Sequence, residues 1–133
     1  MAGMSVFDIA GRAMSAQLVR LNTTASNLAN AGQVATRAED AYRARKPIFS
    51  SVMDGASRAT VRVDDVIAAS AEPTRRYAPG HPLANKEGYV FEAAVDPNQE
   101  LIEMVETSRQ YQNDVEVLQT AKSLILNTLK LGQ

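Results

Sequence analysis

From Asp96 onward the chain contains no glycine or proline other than Pro97 until Gly132, one position before its end. Such a stretch constrains the fold more than any other part of the sequence. Asp96 is suited to cap a helix, Pro97 fits the first turn, and Gln99 can complete a capping box. Gly132 falls where a left-handed C-terminal cap is expected. The run therefore predicts one helix of about 34 residues, roughly 50 Å long. Glu100, Glu103 and Glu106 lie early and Lys122 and Lys130 late, the order the helix dipole favours. With Leu101 at a, the a positions are Leu101, Ser108, Val115, Lys122 and Leu129. The d positions are Met104, Tyr111, Leu118, Ile125 and Gly132. This imperfect heptad, widened by Val105, Leu124 and Leu126, suits packing against more than one helix. A helix of this length exceeds what a compact domain of this size buries against itself.

Residues 5–30 predict a second helix, with Ser5 as its cap and Asp8 as the acidic partner. Phe7, Met14, Leu21 and Leu28 recur every seven residues, with Gly11, Leu18 and Ala25 at the offset positions. Gly11 within a helix costs about 1 kcal/mol relative to Ala, so close packing of another helix is expected there. The remaining faces are polar but uncharged: Asn22, Thr23, Thr24, Ser26, Asn27 and Asn30 early, then Thr107, Gln110, Gln112 and Asn113 late. Solvated helix faces carry mainly Lys and Glu, whereas amides and hydroxyls suit desolvated contacts. The stretch 33–95 differs in texture. Gln33 to Ala44 reads as a loop; Pro47–Met53, Thr60–Val63 and Gly88–Glu92 read as strands. Asp54-Gly55 predicts a turn between the first two, Ala71–Pro79 is extended, and Pro79-Gly80-His81-Pro82 turns. The chain thus divides into an N-terminal helix (1–32), a loop and small β-rich insert (33–95) and a C-terminal helix (96–133). The expected class is mainly α with a small β-rich insert, its two long helices packing as a coiled coil within a helical assembly.

Composition narrows the function. A net charge of −1 with 22% charged residues gives no bias toward nucleic acid. There is no cysteine, and the single histidine, His81, lies in a Pro/Gly turn. No metal-ligand cluster, nucleotide-binding loop or nucleophile–base pair is recognisable, so no cofactor is expected and the chain does not read as an enzyme. Asp64-Asp65 are adjacent on a strand and point to opposite faces. The basic run Arg43, Arg45 and Lys46 beside Tyr42, and Arg75-Arg76 beside Tyr77, read as solvated or interface residues. No apolar run reaches the roughly 20 residues of a membrane span. The start lacks a basic and then apolar leader, so any export is expected to proceed without a cleaved signal.

Four stretches resemble the bacterial flagellar axial family of rod and hook proteins. The first is Phe7-Asp8-Ile9-Ala10-Gly11 with Arg20-Leu21-Asn22-Thr23-Thr24-Ala25-Ser26-Asn27-Leu28-Ala29-Asn30, whose Ser-Asn-Leu-Ala-Asn run is the family's N-terminal signature. The second is Tyr42-Arg43-Ala44-Arg45-Lys46. The third is Tyr77-Ala78-Pro79-Gly80-His81-Pro82-Leu83-Ala84-Asn85 with Gly88-Tyr89-Val90. The last is Ser108-Arg109-Gln110-Tyr111-Gln112-Asn113 with Leu118 and Ala121-Lys122-Ser123. The short length and the Pro-Gly-His-Pro segment resemble a proximal-rod member. The resemblance implies helical polymerisation into a periplasmic drive shaft that encloses the export channel. Implied partners are copies of the chain, other rod proteins, and basal-body ring and export-gate components. Assembly contacts are expected at Phe7, Met14, Leu18, Leu21 and Leu28, with Asn22, Asn27 and Asn30 in intersubunit hydrogen bonds. On the C-terminal helix they are expected at Leu101, Met104, Tyr111, Leu118, Ile125 and Leu129. The alternative is a soluble helical secretion adaptor or chaperone.

Overall fold

The computed structural model describes residues 2–53 and 59–132. Two long helices, α1 (Ala2–Asn30) and α2 (Pro97–Leu131), enclose an insert of short strands. α2 starts as its sequence dictates: the Asp96 carboxylate accepts from the backbone N–H of Asn98 and Gln99, with Pro97 in the first turn. Its end differs from expectation. Gly132 has φ −88°, ψ 1°, so no left-handed cap forms, and its N–H closes an ordinary turn onto the Thr128 carbonyl. α1 begins three residues before Ser5, which therefore lies inside the helix and is not its cap.

The two helices pack against each other within one chain and run antiparallel. Asn27 meets Glu100 at one end of the pair, and Val6 lines a groove with Ala121 and Leu124 toward the other. Only four helical residues of α1 precede Val6, whereas α2 continues for ten past Ala121 to Leu131. At 1.5 Å per residue, α2 overhangs α1 by about 9 Å.

The insert forms two separate sheets. β2 (Arg45–Met53) and β3 (Ala59–Ala68) make an antiparallel ribbon that packs on α1. The register shifts at Ile48/Phe49, where Asp64 is the extra residue of β3. The expected turn at Asp54-Gly55 lies outside the described residues. β5 (Tyr89–Glu92) is flanked by β4 (Thr74–Tyr77) and by the two-residue β1 (Val34–Ala35). The segment expected to be wholly loop thus contributes a short edge strand and one 3₁₀ turn, Ala38–Asp40. The Pro79–Pro82 turn forms as expected, with the His81 N–H on the Ala78 carbonyl.

Very little apolar volume is buried. Among the described residues the buried apolar side chains are Ala10, Ala16, Ala41, Ala44, Val90 and Ala93. The surface area is 9100 Å², against about 6,800 Å² for a compact monomer of 14.4 kDa. Elongation and a thin core leave many large apolar side chains in water. Among the described residues of the subunit nothing packs closely on Gly11: a Cβ there would meet nothing within 4 Å. Gly11 instead lines an open groove of about 760 Å³ between α1 and β3, with Phe7, Ala16, Val19, Val61 and Val63.

Candidate assembly interface

Where α1 ends, α2 begins and β2 enters, the chain is tied together by polar atoms. Asn27, with no exposed surface, uses its whole amide. Its Nδ2 donates to the Arg45 carbonyl (2.9 Å) and to Glu100 Oε2 (3.2 Å). Its Oδ1 accepts from the Tyr42 hydroxyl and the Arg45 N–H, both at 2.8 Å. Asparagine inside a helix normally competes with the backbone of its own helix. Here all four bonds reach other segments, so the residue acts as a three-way joint. Within the subunit, no donor or acceptor position of this amide is left over. Asn30 donates to the Ser26 carbonyl at 2.8 Å, whereas Asn22 stands exposed on α1.

Glu100 is 3% exposed and lies beside Lys46. Lys46 Nζ donates to Glu100 Oε1 (3.1 Å) and to Glu103 Oε1 (2.9 Å). Burial alone lowers the lysine pKa, but the hydrogen bonds from Glu103 and Glu100 outweigh it, and the net shift is upward from 10.5. Lys46 is therefore a fixed cation at any physiological pH. Part of the uncharged helix surface is likewise used internally. Thr23, Thr24 and Thr107 are buried, and the Thr107 and Thr23 hydroxyls bond back to the carbonyls of Glu103 and Val19. Such self-satisfied hydroxyls are small and let helices approach closely.

The apolar residues divide differently from the expected heptad frame. Met104, Tyr111 and Leu118 are half-buried, as are Phe7, Met14, Leu21 and Leu28 of α1. The a row faces away from the described packing at both ends: Leu101 is 51% and Leu129 62% exposed. Leu18 and Ile125 are also exposed, and Leu131 reaches 90%. Ile102, Val105, Leu124 and Leu126 join them. The inner seam of α2 follows Glu100, Met104, Thr107, Tyr111 and Leu118, so its first half is polar where a leucine at a was expected. Each end of the long helix therefore presents leucine-type side chains to solvent, and such surface marks a contact site. Among the described residues no helix is long and apolar enough to cross a membrane.

Comparison with known proteins agrees with this architecture. Residues 7–32 match the family model described as flagella basal body rod protein. Residues 86–131 match that of the flagellar basal body rod FlgEFG protein C-terminal region. Flagellar basal-body rod protein FlgC of Escherichia coli O6:H1 is 46% identical over 134 residues, covering the whole of both chains. The same-named proteins of Salmonella typhimurium and Bacillus subtilis are 44% and 28% identical, again over the full length of both. The chain belongs to the FlgC family of flagellar basal-body rod proteins. It is a structural rod subunit of the flagellar basal body and not an enzyme. The two matched segments coincide with α1 and with β5 plus α2, and the ribbon lies between them. Tyr42 to Lys46 and Ser26 to Asn30 both lie in family motifs, but nothing in the sequence joins them. Glu100 and Glu103 were read only as dipole partners, although an Asn at a helix end, a Tyr-x-x-x-Lys and two early acids were all in view.

Proposed function

We propose that copies of this chain, with other flagellar rod proteins, assemble helically into the proximal rod. There the rod carries torque from motor to hook and encloses the export channel. Segments 1–32 and 96–133 form the rod core as packed helices, and 33–95 forms the surrounding insert. The observation that carries this reading is the apolar surface left uncovered along α2, from Leu101 to Leu131, in a chain whose own core is mostly alanine. A heterologous contact between such surfaces repeats indefinitely and builds a helical polymer. Leu18, Asn22, Leu101, Ile125 and Leu129 are the expected assembly positions the fold leaves exposed, while Phe7, Met14, Leu21, Leu28, Met104, Tyr111 and Leu118 are half-buried within the subunit. Ring and export-gate components meet the rod's base, and the subunit works in the periplasmic space. The test is to tag the chain in its host, purify basal bodies and immunoblot them. Enrichment in the particles, with loss of hooks on deletion, supports the reading. Absence from particles while deletion still blocks assembly favours a secretion adaptor.

A further inference from the structure

The two exposed patches of α2 differ in charge as well as position, and the pair specifies a contact. Leu101, Ile102 and Val105 form an apolar face, 51–61% exposed, beside Glu106, the acid of this stretch left over once Asp96 caps the helix and Lys46 pairs with Glu100 and Glu103. At the other end, Leu124, Leu126, Leu129 and Leu131 lie in a stretch that carries Lys122 and Lys130 and no acid after Glu116. The placement is matched in detail. Glu106 stands one turn beyond Ile102, and Lys130 one turn beyond Leu126, each four residues on. Glu106 and Lys130 are exposed and take part in no ion pair among the described residues. Val105 and Leu129 are about 36 Å apart along one straight helix, so the two patches of a single chain never meet. The overhang projects past the start of α1 and is free to lie beside another molecule.

We infer that the basic leucine overhang of one copy seats on the acidic apolar face around Val105 of a second copy, head to tail. The occupant is a second copy because complementary charge and matching apolar faces are both carried by this chain. The contact is heterologous, so each copy donates once and accepts once. This inference rests on the rod-subunit reading and names the surfaces it would use.

The chain has no cysteine, so two introduced thiols report the contact without background. In the host, Val105→Cys with Leu129→Cys should, on mild oxidation of purified basal bodies, give a ladder of dimers, trimers and longer species. Each single variant should give no ladder. Charge reversal is the second arm: Glu106→Lys should reduce hook number about tenfold, and adding Lys130→Glu should restore it. Basal bodies that contain the doubly substituted chain but yield no ladder would overturn the inference and leave the rod-subunit reading intact. A dimer formed equally by either single variant would also overturn it, since that contact would be two-fold symmetric. Absence of the chain from the particles would instead defeat the underlying reading.

Discussion

The two ends of the helix pair are built on opposite principles. At one end Asn27, Tyr42, Lys46, Glu100 and Glu103 close a polar joint in which the asparagine has no exposed surface and Glu100 almost none. At the other, α2 outruns α1 and presents Leu126, Leu129 and Leu131 to water. Buried polar groups are tolerable only when fully paired, and exposed leucine is costly unless something covers it. The first end is therefore finished within the subunit, while the second is left open, as the proposed assembly requires. A subunit meant to polymerise needs both: a joint that fixes the angle between insert and helices, and an end left open for the next copy.

Substitutions at the two ends should separate folding from assembly. The largest effect is expected at the open end. Leu129→Asp adds a charge to an exposed site, so thermal unfolding of the purified chain should be unchanged within about 0.5 kcal/mol. Swimming in soft agar should nonetheless be lost, because the covered site would bury an unpaired carboxylate. A swimming Leu129→Asp strain would break the distinction between the ends. The reverse pattern is expected at the closed end. Asn27→Ala strips a partner from the Tyr42 hydroxyl, both backbone groups of Arg45 and one oxygen of Glu100. Leaving such buried groups unpaired should destabilise the chain by about 3 kcal/mol, measured by urea unfolding. A value near zero would mean the joint is held by packing instead.

This division also explains what the sequence revealed. Both helices, the Asp96 cap and three strands were readable because periodicity and capping are local: Asp96-Pro97 starts α2 whatever surrounds it. The class of surface was readable too, since uncharged faces and two helices without matched heptads point to contacts beyond one domain. The joint was not readable. Asn27 and Glu100 are distant in sequence, and nothing in either stretch announces that they meet; tertiary placement alone makes a signature asparagine an internal tie. Which face of α2 turns inward was unreadable for a related reason. Leu101 is the more apolar start for a heptad, but Glu100 is drawn inward by Lys46 and Asn27, and this rotates Leu101 outward.

A third substitution asks whether the insert near the closed end is as tightly determined. Gly88 adopts φ +85°, and a Cβ there would lie 3.0 Å from Tyr77 Cε2 and 3.2 Å from Pro79 Cβ. Tyr77 is itself held edge-on to Tyr89 at 5.2 Å, with the Arg75 guanidinium 4.3 Å from the Tyr89 centroid. Gly88→Ala combines left-handed strain with displacement of that ring and should cost about 2 kcal/mol. Equal stability of the variant would show that the Tyr77–Pro79 segment yields freely, and the contrast between a fixed and an open end would then stop at the joint.

The smallest effect is expected midway between the ends, at Asp114. This half-buried residue of α2 has its pKa raised above 3.8 by desolvation. A carboxyl with a higher pKa folded than unfolded opposes folding once it ionises. The penalty is absent below 3.8, grows as pH rises through the raised value, and is fully present at neutral pH. Asp114→Asn removes it, so the variant should be more stable at pH 7 by no more than about 0.5 kcal/mol and indistinguishable from the parent well below pH 3.8. Paired thermal unfolding curves across that range would show the difference closing as pH falls. A difference that stays constant would assign the effect to side-chain volume or hydrogen bonding. Residual strain of this kind, in the stretch joining a finished end to an unfinished one, fits a helix whose middle is not packed for maximal stability of the isolated subunit.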